Sequence, residues 1–167
     1  METLFAKQDR LLSLTSTEII RTLMYQINWD AQLVAIKGPR GVGKTTLMLQ
    51  YMKQHYEVYS REVLYCTLDS VYFSNHTLLE LVDVFVKNGG KHLFLDEVHK
   101  YPTWSKEIKE VYDMYPDLKV VFSASSLLNI LTYPGVVSLM KCRDFPFGNF
   151  YCFINSWIYL YVLWKRF

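Results

Sequence analysis

Four short apolar runs punctuate the chain at 33–37, 61–67, 92–95 and 119–123, each bounded by polar or glycine-containing segments. Their brevity and continuous apolar centres predict strands buried on both faces, as in a parallel sheet, rather than strands with one wet face. Between them lie longer stretches with helical spacing, read as helices over 44–54, 78–87 and 104–115 and preceded by a helical segment over 17–26. Asn88-Gly89-Gly90 is a strong helix stop, and Pro102 stands just ahead of the third helix. Strand alternating with helix predicts an α/β fold, a three-layer sandwich with a parallel sheet covered on both faces.

The connection after the first strand carries chemistry. Gly38-Pro39-Arg40-Gly41-Val42-Gly43-Lys44-Thr45 fits the phosphate-binding pattern G-x-x-x-x-G-K-[ST], and Thr46 continues it into a helix. Strand, glycine loop and helix together aim backbone N–H groups and a helix N-terminus at phosphate. Gly41 and Gly43 allow the close approach and the positive φ that such a loop needs. Lys44 is expected to reach the β- and γ-phosphates and Thr45 to ligate Mg²⁺.

Roughly fifty residues later, Lys91-His92-Leu93-Phe94-Leu95-Asp96-Glu97 delivers two carboxylates to the C-terminal edge of a strand, where ligands of open parallel sheets bind. Asp96 is expected to hold Mg²⁺ through water, and Glu97 to act as general base on the attacking water. The run 118–126 ends in serines, and Ser123 or Ser125, with Ser125 taken as the site residue, is the candidate sensor of the γ-phosphate. Asp69, at another strand end, is read either as a support for the magnesium site or as an Asx turn. There is no guanine-reading N-K-x-D string, which leaves ATP favoured over GTP.

These strings resemble a known family. GPRGVGKTT, HLFLDEVHKYPTWSKEIKEVYD and LKVVFSASS look like the bacterial and archaeal AAA-type ATPases that carry a C-terminal domain of unknown function. The resemblance covers about residues 4–130, and the stretch from Asp96 and Glu97 through His99 to Trp104 is its most specific part. It implies an AAA-type core, ATP as partner, and room for a homo-oligomer. Trp104 reads as an anchor of the following helix in the core rather than a nucleotide contact. Ala124 stands where the family's TGSS-like string has glycine.

Composition narrows the reading. At 167 residues the chain suffices for one domain with a core, but members of the resembled family are more than twice as long, so a fragment is expected. A net charge of +2 without a basic stripe gives no indication of nucleic acid. Cys66, Cys142 and Cys152 have no metal-ligand spacing, and with no signal peptide at the start they fit a reducing cytoplasm.

After about residue 130 the character changes, and 145–164 is crowded with aromatics without a surviving period. A tail anchor is one reading, disfavoured by Asn149, Asn155 and Ser156 within the run. A frameshift is the other. One base earlier, synonymous codons permit GFSFREFL for 144–151, EMQG for 140–143 and DLSRR for 132–136, strings resembling that family's after its ATPase core. On this reading 1–130 is the ATPase core, incomplete at its C-terminus, and 131–167 is an aberrant tail. The lost SRR string is the candidate source of an arginine on the γ-phosphate, in cis or from a neighbouring subunit, so hydrolysis is expected to be weak or lost. The alternatives are a non-enzymatic remnant and a small tail-anchored membrane ATPase.

Overall fold

The computed structural model describes residues 1–125 and the backbone of 139–141. In chain order the elements are α1 (Glu2–Leu14), β1 (Leu33–Lys37), α2 (Lys44–His55), β2 (Val63–Thr67), α3 (Leu78–Lys87), β3 (His92–Asp96), α4 (Trp104–Met114), β4 (Lys119–Ala124) and β5 (Leu139–Lys141). Single 3₁₀ turns lie at Thr22–Tyr25, Val71–Ser74 and Val98–Lys100. All strands pair in parallel in the order β2-β3-β4-β1-β5. The expected α/β architecture with a parallel sheet is therefore the observed one.

Continuous apolar strands serve two cores at once, because successive side chains point to opposite faces. Leu33 and Ala35 of β1 join Leu93, Leu95, Val120 and Phe122 on one face, beneath α1, α3 and α4. Val34 and Ile36 join Phe94 and Val121 on the other, beneath α2 and the segment holding Leu23, Met24, Ile27 and Trp29. Each large side chain removed from water in these layers contributes about 1.5–3 kcal/mol. Trp104 opens α4 and packs against Phe122 with ring centroids 5.7 Å apart, the core anchor the sequence suggested.

Helix ends follow local chemistry. Thr77 and Glu80 form a reciprocal capping box at the start of α3. At its end Gly89, φ +85°, and Gly90 donate back to Val86 and Phe85, the hydrogen-bond pattern that terminates a helix with a left-handed residue.

The N-terminal expectation needs correction. A helix over 17–26 was predicted, but that segment holds only the turn Thr22–Tyr25, and the helix is Glu2–Leu14. The reason is tertiary. Leu4 and Phe5 dock α1 on the sheet, and the buried Gln8 amide pairs with edge strand β2, donating to Val63 O (3.3 Å) and accepting from Tyr65 N (2.7 Å). The strap that follows is pinned to α2. Gln50 Nε2 takes the carbonyls of Ser16 and Ile19, both at 2.9 Å, and Lys53 takes that of Thr15 at 2.7 Å. Those carbonyls bond side chains of α2 rather than the amides of a helix of their own.

The expected boundary at residue 130 and the tail expected to be out of frame fall largely outside the described residues. Within that range Leu139–Lys141 pairs with Ala35–Lys37 of β1. This ladder is made by main-chain groups, which any reading frame supplies.

Candidate functional site

The topology puts β4 between β1 and β3, so the strand ends of the two motifs and the serine-rich end of the third meet at one sheet edge. The loop leaving β1 adopts left-handed geometry at Gly41 (φ +83°) and Gly43 (φ +79°). A Cβ on Gly43 would also collide with the guanidinium of Arg21, which donates to Val42 O. The strap pinned along α2 thus delivers a cation onto the glycine loop. Lys44, 8% exposed, turns back across the loop and donates to Gly38 O and Pro39 O, both at 2.8 Å. Pro39, Arg40, Gly41 and Thr46 are exposed around it.

The centre of the site is the Asp96 carboxylate. Its Oδ2 accepts from Thr45 Oγ1 at 2.5 Å and from Tyr65 OH at 2.8 Å. Its Oδ1 accepts from Ser123 Oγ and, at 3.0 Å, from the backbone N–H of Glu97. Glycine-loop helix, β2 and β4 thereby converge on the end of β3. Burial first, and then the neighbouring Asp96 charge, raise the Tyr65 phenol above its ordinary value, so it stays a proton donor. Burial likewise pushes the free Cys66 thiol up to about 12, which leaves it unreactive.

Glu97 departs from strand geometry at φ +51°, ψ +42°, a left-handed conformation uncommon for a residue with a side chain. Two acceptors hold its N–H there, Asp96 Oδ1 and Ser123 Oγ, the latter at 3.1 Å. Among the described residues nothing hydrogen-bonds the Glu97 carboxylate, which is half-buried.

The two candidate serines have different surroundings. Ser123, fully buried, supports Asp96 and the Glu97 backbone. Ser125 instead faces His99, with Oγ 2.8 Å from Nε2. Asp69 is exposed and its N–H donates to Thr67 Oγ1 at 3.3 Å, so the turn there is organised by the Thr67 side chain. Tyr65 and Arg21 were not singled out from the sequence. Tyr65 was detectable as the one hydroxyl within the run Val63-Leu64-Tyr65-Cys66; Arg21 carried no local signal, because its place on the loop depends on the strap.

Among the described residues no helix is long and apolar enough to cross a membrane. The family described as AAA domain matches residues 30–139 of the chain. No curated protein matches it. Among solved structures it is similar to that of C. elegans PCH-2, with 14% identity and a TM-score of 0.45 over 83% of this chain and 41% of that one. It is also similar to the structure of Rhizobiales Trip13, with 13% identity and a TM-score of 0.41 over 84% of this chain and 60% of that one. The chain thus spans less than two thirds of the length of either protein.

Proposed function

The chain belongs to the AAA-domain family, and from that premise we propose that it binds ATP with Mg²⁺ at the glycine loop, with hydrolysis weak or lost. The observation that carries this reading is the 2.5 Å contact between Thr45 Oγ1 and Asp96 Oδ2, which joins two motifs 51 residues apart. A cation shared by the two side chains accounts for their meeting at one sheet edge.

Thr45 and Asp96 suit Mg²⁺ by the chemistry of their donors, all hard oxygens. Among the described residues no cluster of His, Cys, Asp or Glu could hold a metal unaided, so phosphate and water would complete the shell. Bound there, Mg²⁺ would neutralise charge on the β- and γ-phosphates. The chain's own contributions are separable. The loop amides from Gly38 to Thr46 cradle the phosphates, and Lys44 exchanges its carbonyl partners for phosphate oxygens. Glu97, whose carboxylate has no hydrogen-bond partner among the described residues, takes a proton from the attacking water. Ser125 reads the γ-phosphate, while Ser123 holds Asp96 and Glu97 in register.

Turnover is slow on this reading because the segment after about residue 130 lacks the SRR string and its arginine, whose contribution can reach 10³-fold or more. A homo-oligomer and a cytoplasmic location complete the proposal. A non-enzymatic remnant is the second reading, favoured by the out-of-frame resemblance of 144–151; genomic sequence around codon 130 decides whether such a frame exists.

The direct test is titration with a fluorescent ATP analogue and Mg²⁺. Lys44→Ala should lose most of the affinity, at least tenfold, because a charge on the phosphates disappears. Equal binding by the wild type and this variant would remove the glycine loop from the site.

A further inference from the structure

Tyr65 belongs to neither motif, yet its hydroxyl lies 2.8 Å from Asp96 Oδ2, the same oxygen that accepts from Thr45. A carboxylate offers about four lone-pair positions. Four donors occupy them here: Thr45 and Tyr65 on Oδ2, Ser123 and the Glu97 N–H on Oδ1. A hydrated cation that used Asp96 would need one of those positions.

The donors are not equally able to yield it. Ser123 and the Glu97 amide lie on the oxygen away from the loop, and each also helps fix the left-handed backbone of Glu97. Thr45 can keep its proton on Asp96 while its oxygen lone pairs face a metal. Tyr65 is the remaining donor on the loop side. The residue is 5% exposed and lies in the same core cluster as Val63, Phe94 and Val121, so the hydroxyl is held at the carboxylate by the core of the domain.

We propose that Tyr65 is a specificity-setting residue that restrains cation binding, its phenol competing with the hydrated Mg²⁺ for Asp96 Oδ2. The inference deepens the ATP–Mg²⁺ reading and rests on it. Removing the phenol acts twice in one direction: it frees a lone pair, and it leaves the buried carboxylate short of one donor and more in need of a positive partner. With Tyr65 present, the site takes its metal chiefly when nucleotide phosphates add their own oxygens.

Free Mn²⁺ followed by electron paramagnetic resonance tests this on the full chain, with and without a non-hydrolysable ATP analogue. Tyr65→Phe keeps the ring, and Tyr65→Met provides a second apolar replacement should the first not fold. Either variant should bind Mn²⁺ about tenfold more tightly than the wild type, the scale of one hydrogen bond to a charged acceptor, and Thr45→Val should bind it more weakly. Affinity for the analogue in EDTA should be unchanged in the Tyr65 variants. Mn²⁺ affinity that is equal or weaker in both Tyr65 variants, with analogue binding intact, overturns the role of Tyr65 alone. A wild type that takes up neither analogue nor Mn²⁺ brings down the ATP–Mg²⁺ reading and this inference with it.

Discussion

Asp96 and Glu107 are both buried carboxylates, 4% and 9% exposed, and each accepts four hydrogen bonds from the protein. Their donors differ in kind. Glu107 takes the N–H groups of Leu78 (2.9 Å) and Leu79 (3.3 Å), which open α3, together with the hydroxyls of Tyr101 and Thr103 just before its own helix. It satisfies amides that a helix start leaves without partners and places a negative charge at the positive end of α3. The two amides there cannot turn away without unmaking the start of α3. Asp96 instead takes three hydroxyls and one amide from elements that meet only at the ligand-binding edge. A hydroxyl rotates about a single bond, so Thr45 can re-aim at small cost, whereas the core holds the phenol of Tyr65 at the carboxylate. A carboxylate held by helix-end amides staples a fold, whereas one held by hydroxyls at a sheet edge is ready to exchange partners.

A third buried ionisable group sharpens this contrast, because His92 starts the strand that Asp96 ends. The residue is 1% exposed, with Nδ1 2.7 Å from Tyr56 OH and, among the described residues, no hydrogen-bond partner for Nε2. Burial first, then Lys119, lowers its pKa from 6.5 to about 3, against a small opposing pull from Asp30. Folded protein therefore keeps His92 neutral while unfolded chain takes up a proton below about 6.5. Stability is present above that pH and is lost as pH falls toward about 3, by on the order of 4 kcal/mol at the low end. Urea unfolding of the wild type and of His92→Phe between pH 7 and 4 should show a steep loss in the first and a much flatter profile in the second. Parallel profiles would mean that this end of the strand is not governed by burial.

Glu107→Ala tests the staple. Leaving two amides and two hydroxyls without their acceptor should destabilise the domain by about 3 kcal/mol, read as a drop in Tm, while the folded fraction retains its affinity for ATP. Loss of nucleotide affinity without loss of stability would reverse the assignment of the two carboxylates.

Glu97→Gln probes chemistry next to the exchangeable site. It should lower any measurable turnover by about 10²-fold, near 2.7 kcal/mol, with binding of the analogue preserved. Steady-state turnover equal to that of the wild type would take Glu97 out of the mechanism. The smallest effect on folding belongs to Asp96→Asn, which keeps size and two acceptor positions. Its stability should change by no more than about 1 kcal/mol, read from the shift in Tm, yet the gain in analogue affinity on adding Mg²⁺ should vanish. An Asp96→Asn protein as destabilised as Glu107→Ala would make Asp96 a staple as well.

The strands and the helices after residue 44 were legible because local pattern and final environment agree. Val34, Ile36, Phe94 and Val121 are apolar and end fully buried, and α3 starts at its capping box and stops at Gly89. The glycine loop and the Asp96-Glu97 pair were legible because phosphate and metal chemistry demand specific residues in a fixed local order. The N-terminal helix was misplaced because residues 1–26 contain two segments of helical character, and docking of Leu4, Phe5 and Gln8 on the sheet selects the first.

What the sequence by itself determined was four of the five strands, their helical connections and the glycine-loop and Asp96-Glu97 motifs, since each is written in neighbours along the chain; β5 at Leu139–Lys141 was not foreseen. What only the tertiary structure decided was which hydroxyls reach Asp96, that Ser123 rather than Ser125 supports it, that Arg21 lies on the glycine loop, and that Glu107 caps a helix 28 residues or more away. Those pairings depend on strand order and on where a strap is pinned. Hydrogen bonds between residues far apart in the chain leave no periodicity in it, so they become visible only once the sheet has brought their elements together.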